Sequence, residues 1–377
     1  MSLIIILALI YAALIFWLTA GLLKRSKVSD SEYRPRVSVI VAARNEELNL
    51  ELCLLSLSNQ NYPEDLYDVY IIDDRSEDET RKIGSRFADQ QPNFNLIVVD
   101  EVDLDISPKK NAIQKGIDAS DGEIIMTTDA DCSPPEGWIS GIVSHYNDEN
   151  IGMVVGYAPL YKTNKGLKES LLKLDALSIA AVASGSIGIG YPVTCTGRNF
   201  SYRRSVYESI DGYEGLWHLM SGDDDLLLHK ANKYGIKVSY SFLPSTFVES
   251  KTYDELSEIS NQRRRHASKT PHYYSLTGMT GLKIALPLVY LLNLFIVSGL
   301  LGIGVSPPTL AVSLLLKSIA EFSLLYTFSS ISGDRNVLKY FPLALLIHPF
   351  YVVIYGAWGT LGKFTWKGQT SNPIKIN

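Results

Sequence analysis

"GEIIMTTDADC" (residues 122–132) runs from a short apolar stretch straight into two carboxylates, Asp129 and Asp131. A short apolar run bounded by Gly and by acids reads as a buried strand that ends at the acids. Residues i and i+2 of a strand point to the same side. Two carboxylates held close repel each other unless a cation sits between or beside them. Mg²⁺ or Mn²⁺ takes one or two protein carboxylates and completes its shell with phosphate oxygens and water. The other reading of the pair is a helix cap, because "DCSPPEGW" carries a helix start.

Strand and helix patterns alternate before this stretch. "RVSVIVAAR" (36–44) is a buried strand. "NEELNLELCLLSLSNQ" (45–60) is a helix, with Asn45 as its cap and Leu48, Leu52 and Leu55 as its apolar repeat. "YDVYIIDDRSEDET" (67–80) is a strand ending in Asp73 and Asp74, and a helix follows over 78–90. "FNLIVVD" (94–100) is a third strand and "PKKNAIQKGIDAS" (108–120) a third helix. This alternation predicts an α/β fold, a parallel sheet with helices on both faces. Ligands of such sheets bind beyond the carboxyl ends of the strands. Ala42–Glu46, Asp73–Asp74 and Asp129–Asp131 therefore converge on one rim. Asp73 and Asp74 suit hydrogen bonds to a base or ribose, or an Asx turn. The chain has neither a GxGxxG turn nor a GxxxxGK[ST] loop.

The 377 residues allow one or two domains. A net charge of −5 gives no sign of a nucleic-acid partner. Cys53, Cys132 and Cys195 show no metal-ligand spacing and no disulfide framework, which fits a reducing compartment. "LIIILALIYAALIFWLTAGLL" (3–23) is uncharged and long enough to span a bilayer. It lacks a basic leader and a small-residue cleavage site, so residues 1–24 read as a signal anchor. Lys24, Arg25 and Lys27 place the next segment, a globular domain over 35–275, in the cytoplasm. Residues 281–362 form a C-terminal membrane region of two or three crossings, at 281–305, 309–328 and 338–362, followed by a tail over 363–377. Three crossings after the anchor put that tail outside, yet its basic charge favours inside. One segment is then re-entrant, interfacial or part of a hairpin. Lys317 and Glu321, four apart, pair toward the bundle interior. The apolar stretch 169–194 reads either as an interfacial helix leading to the site or as a core helix plus a Gly-rich loop. The expectation is an integral membrane protein, in the inner membrane if the host is bacterial.

Three further stretches carry charge or polarity in groups. "SGDDDLLLHKANKYGIKV" (221–238) opens a helix with three acids. One or two compensate the helix dipole. The third exceeds a cap's needs, and crowding raises the pKa of at least one, which suits a general base. "CTGRNFSYRRSVYESIDGYEG" (195–215) lines a cleft or is an ordinary loop–strand–helix passage. "QRRRHASK" (262–269) is either a contact for anionic lipid or a clamp on a diphosphate leaving group.

Together these motifs resemble the membrane-bound family-2 glycosyltransferases of GT-A fold, over about 37–270. "VSVIVAARNEE" is similar to the family's opening strand and nucleotide loop, with Ala42 where proline is usual, and with Arg44 and Glu46. "IIDDRSEDET" resembles the second acidic strand end, and "PKKNAIQKG" the lysine-bearing helix start, with Lys109 in place and Gln114 where Asn is usual. "TTDADC" is similar to the DxD motif. "TGRNFSYRRSVYESIDGYEG" resembles the acceptor-side segment, carried by Gly197, Arg198 and Asn199. In "GDDDLLLHKANKYGIKV", counting back from Gly235 puts the family's Glu-Asp pair on Asp223 and Asp224, with Asp225 as an extra acid. "QRRRH" resembles QxxRW, with Gln262 and Arg265 in place and His266 where Trp is usual.

The resemblance implies a Rossmann-like mixed sheet flanked by helices, and N- and C-terminal transmembrane helices. It implies an inverting transfer from a nucleotide-diphosphate sugar. Asp129 and Asp131 would hold Mg²⁺ or Mn²⁺. Ala42, Arg44, Glu46, Asp73, Asp74, Lys109, Asp129, Gln262, Arg263, Arg264 and Arg265 would bind the nucleotide sugar. Asp224 would be the base, with Asp223 and Asp225 beside it. Membrane segments on both flanks favour a lipid or lipid-linked acceptor among the membrane lipids. Three C-terminal segments are few for a polysaccharide channel. A processive synthase of the same fold and a non-catalytic sugar-nucleotide-binding subunit are the alternatives.

Overall fold

A computed structural model describes residues 3–24, 32–101, 106–161, 166–252, 255–268, 273, 279–361, 365–366 and 369–370. Arg25, Lys27 and most of the 363–377 tail, which carry the charge argument for topology, lie outside the described residues. The chain divides into two compact units. One is α/β and comprises Arg25–Lys162 and Thr194–Thr252. The other is helical and comprises Met1–Lys24, Thr163–Val193 and Tyr253–Asn377.

The α/β unit is built on β1 (Val37–Ala43), β2 (Tyr67–Asp74), β3 (Phe94–Val99), β4 (Ile124–Asp129), β5 (Cys132–Ser133), β6 (Ile151–Gly156), β7 (Phe200–Arg203), β8 (Lys237–Ser241) and β9 (Glu249–Ser250). Seven of these form one sheet in the order β3-β2-β1-β4-β7-β6-β8, and β5 pairs with β9 in a separate ribbon. The first four strands are parallel, as the alternation predicts. β7 runs antiparallel to both β4 and β6, which makes the sheet mixed. The register sets Ala42 opposite Asp129 and Ala43 opposite Asp73. The acidic strand ends therefore lie level on one rim. Beneath them Val39, Val41, Val69, Ile71, Ile124 and Met126 are fully buried and form the apolar floor.

The first helix differs from its expectation. It spans Leu50–Ser58, not 45–60, and buries Leu50, Cys53, Leu54 and Leu57. Leu48, Leu52 and Leu55, expected as the inner stripe, are exposed. Two apolar stripes overlap here at helical spacing, and contact with the sheet selects between them. Residues 45–49 are spent on the loop instead. Asn45 sits at φ 52°, and its Oδ1 accepts the Glu77 N–H at 2.9 Å. A non-Gly residue in this region is uncommon, and Asn is among the side chains that tolerate it best.

Among the described residues of the helical unit, five helices are long and apolar enough to cross a membrane. They are Leu3–Leu22, Gly166–Gly188, Thr280–Leu300, Pro307–Ser332 and a span over Arg335–Trp358. Chain connectivity removes one from the count of single crossings. β6 and β7, on either side of Gly166–Gly188, are hydrogen-bonded neighbours in one sheet. The chain must return to the side it left. Helices Leu3–Leu22 and Gly166–Gly188 approach backbone to backbone. A Cβ on Gly21 would lie 2.0 Å from the Gly185 carbonyl oxygen. Small residues at such crossings let apolar helices pack without a hydrophobic driving force. Lys317 and Glu321 form the expected ion pair, and Lys317 is fully buried.

Candidate active site

Lys109 stands at the centre of the rim. It lies in the first turn of helix Pro108–Asp118, whose N-terminus follows β3. Its Nζ donates to Asp129 Oδ1 at 2.8 Å and meets Asp223 Oδ2 at 3.0 Å. Asp129 ends β4, and Asp223 precedes helix Asp225–Lys233, so one ammonium joins two acidic segments 94 positions apart (223 minus 129). Burial works against the Lys109 charge, but Asp129 and Asp223 beside it outweigh burial and raise its pKa. Burial likewise opposes the Asp129 charge, and Lys109 reverses the balance and holds its pKa low.

Asp131 is in the opposite position. Burial, then the charges of Asp129 and Glu46, push its pKa up to about 6. Its pKa is raised even though Arg198 acts to lower it. This is an under-neutralised group of hard oxygen donors, which fits a divalent cation. Cys132, next in line, is a buried thiol whose pKa burial raises well above normal, so it offers no thiolate. Among the described residues no group of three or more His, Cys, Asp or Glu makes a protein-only metal cage. Asp129 and Asp131 suit an ion that completes its shell from a phosphate-bearing ligand and water. The hydroxyl of Thr128, buried beside them, has no hydrogen-bond partner among the described residues.

Asp224 caps helix Asp225–Lys233. Its Oδ1 accepts the Asp225 N–H at 2.7 Å and its Oδ2 the Gly197 N–H at 2.9 Å. A Cβ at Gly197 would sit 3.3 Å from Asp223 Oδ2, so this glycine brings the 195–199 turn directly against the acids. Arg198 donates to Thr196 and to Ser250. Asn199 is 1% exposed and its amide is fully used. It donates to the carbonyls of Tyr157 and Thr246 and accepts from the Trp138 indole. It ties the turn to the core, while Gly197 meets the acids directly. Asp225 is buried in the first turn of its helix.

On the β1–β2 side, Asp73 is fully buried. It accepts the Ser76 N–H and pairs with Arg81 at 2.8 Å. Asp74 pairs with Arg75 at 2.7 Å. Ala42 is at the end of β1, and Arg44 and Glu46 are in the loop beyond it. Glu46 accepts from the Asn49 amide at 2.8 Å. Gln262, Arg263, Arg264 and Arg265 lie on helix Leu256–Ala267 and belong to the helical unit. There Arg263 pairs with Asp175, and Arg264 lies 3.7 Å over the Trp358 ring.

One contributor lay outside the sequence reading. Lys110 is fully buried and donates to the carbonyls of Leu219 and Ser221, at 2.5 and 2.9 Å. It pins the loop that presents Asp223 and Asp224. The signal was the second lysine of the "PKK" step. Nothing local separates it from Lys109.

Comparison with known proteins accords with this geometry. Residues 38–211 match the family described as Glycosyl transferase family 2. The probable glycosyltransferase YdaM of Bacillus subtilis (strain 168) is 28% identical over 182 residues, 48% of this chain and 43% of that protein. A protein of Trichormus variabilis named beta-monoglucosyldiacylglycerol synthase is 32% identical over 120 residues, 32% of this chain and 25% of that protein. The chain therefore spans less than half the length of either relative. Among solved structures, the mannosyltransferase PcManGT of Pyrobaculum calidifontis, in complex with GDP-Man and Mn²⁺, superposes with a TM-score of 0.59 at 19% identity. The match covers 94% of this chain and 99% of that one. That likeness concerns the fold, a GT-A-like mixed sheet. Residues 38–211 accordingly match a glycosyltransferase family-2 domain, and the fold that carries them is GT-A-like.

Proposed function

We propose that the chain is an inverting glycosyltransferase that moves a sugar from a nucleotide-diphosphate sugar to a hydroxyl of a lipid at the membrane. The observation that carries this reading is the Lys109 bridge, 2.8 Å from Asp129 and 3.0 Å from Asp223. It unites a segment suited to a metal–diphosphate with one suited to proton removal. Asp224 is the base in this reading. Two backbone N–H groups fix the orientation of its carboxylate, and a carboxylate held in place can accept the proton of an acceptor hydroxyl. Asp223, held by Lys109, aligns the pair, and Asp225 supports the helix start.

Asp129 and Asp131 would hold Mg²⁺ or Mn²⁺, which when bound neutralises charge on the departing diphosphate. The relative solved with GDP-Man and Mn²⁺ supports this choice of ion and donor class. Ala42, Arg44, Glu46 and Asp74 are assigned to the nucleoside, with Asp73 and Arg81 holding their loop. Lys109 is assigned to the diphosphate, while Gln262 and Arg263–Arg265 belong to the helical unit and carry no part of this reading. Gly197 and Arg198 are assigned to the acceptor side, with Asn199 as their anchor. A lipid acceptor is supported by the apolar helices and by the relative named beta-monoglucosyldiacylglycerol synthase. The catalytic unit is assigned to the cytoplasmic side, because Lys24 follows the first apolar helix in the chain.

Membranes containing the chain, incubated with a panel of labelled sugar nucleotides and extracted with organic solvent, test the proposal. Label in the organic phase is the expected result. Label confined to insoluble polymer would replace it with a processive synthase. Unchanged turnover in Asp224→Asn would leave only a binding subunit.

A further inference from the structure

The helical unit contains a cavity of about 320 Å³. Small-molecule sites occupy ~300–1,000 Å³. Much of its wall is aliphatic or aromatic, with Leu171, Val182, Leu325 and Phe341 among the lining residues. Asp175, Glu321, Arg263, His348 and Tyr11 make the wall polar elsewhere. The charges there are already matched. Asp175 pairs with Arg263, and Glu321 pairs with Lys317, which is itself fully buried. The Tyr11 hydroxyl donates to Glu321 at 2.6 Å. The lining thus presents two carboxylates and one guanidinium that is already engaged.

Two further polar atoms face few partners. His348 Nδ1 has no hydrogen-bond partner among the described residues. Pro349 follows it within the helix and has no N–H to give the carbonyl of Leu345, another lining residue. A phosphate entering here would meet two carboxylates and no uncommitted cation. A hydroxyl would find acceptors, and an alkyl chain would find apolar wall.

We propose that this cavity binds an acyl chain of an uncharged, hydroxyl-headed lipid of the acylglycerol class, with the hydroxyl at the Asp175–Glu321–His348 wall. This deepens the lipid-acceptor reading above and rests on it for the use made of the bound lipid, but not for the binding itself.

The test uses the full chain in membranes, without nucleotide sugar, and two photoreactive probes. One is a diacylglycerol with a diazirine-bearing acyl chain, and the other is a phosphatidic acid with the same chains. The expected result is labelling of peptides from 166–188 and 341–361, at least fivefold stronger with the diacylglycerol. Ser178→Phe fills the cavity and should reduce that labelling at least fivefold with an unchanged melting transition. Val182→Trp provides the same test should Ser178→Phe fail to fold. Equal or stronger labelling by phosphatidic acid would overturn the proposal, as would undiminished labelling in the folded filled variant. Transfer is assayed separately. Cavity labelling without sugar transfer to any lipid keeps the site and removes the acceptor reading. Sugar transfer to lipid without cavity labelling does the reverse.

Discussion

In the α/β unit one ammonium, Lys109, serves two carboxylates, with Asp131, Glu46 and Asp224 in the same field. In the helical unit each charge at the cavity has its own opposite, Lys317 with Glu321 and Arg263 with Asp175. The first cluster gathers more carboxylates than the two cations, Lys109 and Arg198, that act on them, an imbalance that a bound cation relieves. The second cluster is balanced and calls for no ion. Desolvated charges mark a site for an ion when they are left unequal, and suit an uncharged ligand or a structural tie when they cancel.

The comparison can be broken at several strengths. The largest effect is expected from Asp129→Ala and Asp131→Ala. Each should reduce transfer by about 10³-fold, about 4 kcal/mol of barrier, and chelation of divalent ions should do the same to the unaltered protein. Full activity in both variants would return the pair to the role of a cap. Next, Lys109→Met strands two carboxylates, Asp129 and Asp223, and Lys317→Met strands one, Glu321, each variant losing ~3–5 kcal/mol. Melting of detergent-solubilised protein measures both. Addition of Mn²⁺ with a nucleotide diphosphate should recover part of the loss at Lys109 and none at Lys317. Equal recovery would erase the distinction.

A buried group with no charged partner comes third. Burial lowers the His145 pKa from 6.5 to about 4, and its Nδ1 meets the Ser239 hydroxyl at 2.8 Å. The unfolded chain takes up a proton near pH 6.5, while the fold resists one until about pH 4. Stability is therefore full above about pH 7 and falls as pH drops toward 4, by about 3 kcal/mol in all. His145→Asn should flatten that part of a melting-temperature profile. The smallest effect is expected from replacing the balanced set whole. Tyr11→Phe, Lys317→Met and Glu321→Leu together should shift stability by only about 1 kcal/mol, because no polar partner is left behind. A shift as large as that of Lys317→Met alone would show that the pair is worth more than its desolvation.

The parts read most directly from sequence are those with a local cause. Apolar runs ending in acids produced β2 and β4, and level register along a parallel sheet brought Asp73 and Asp129 to one rim. Lys317 and Glu321 were legible because four residues is one helical turn. The long apolar helices needed only length and composition. What stayed hidden depended on partners distant in the chain. Neighbouring lysines diverge completely: Lys109 joins Asp129 to Asp223, and Lys110 is buried on the carbonyls of Leu219 and Ser221. The three consecutive acids separate into a lysine partner, a cap on the Gly197 turn and a buried first-turn residue. Leu52 and Leu54 share a helix, yet the sheet buries only Leu54. Periodicity along the chain sets which elements form. Which side chain of several equivalent ones is desolvated, and against which charge, was decided only when the sheet and the helices closed on them.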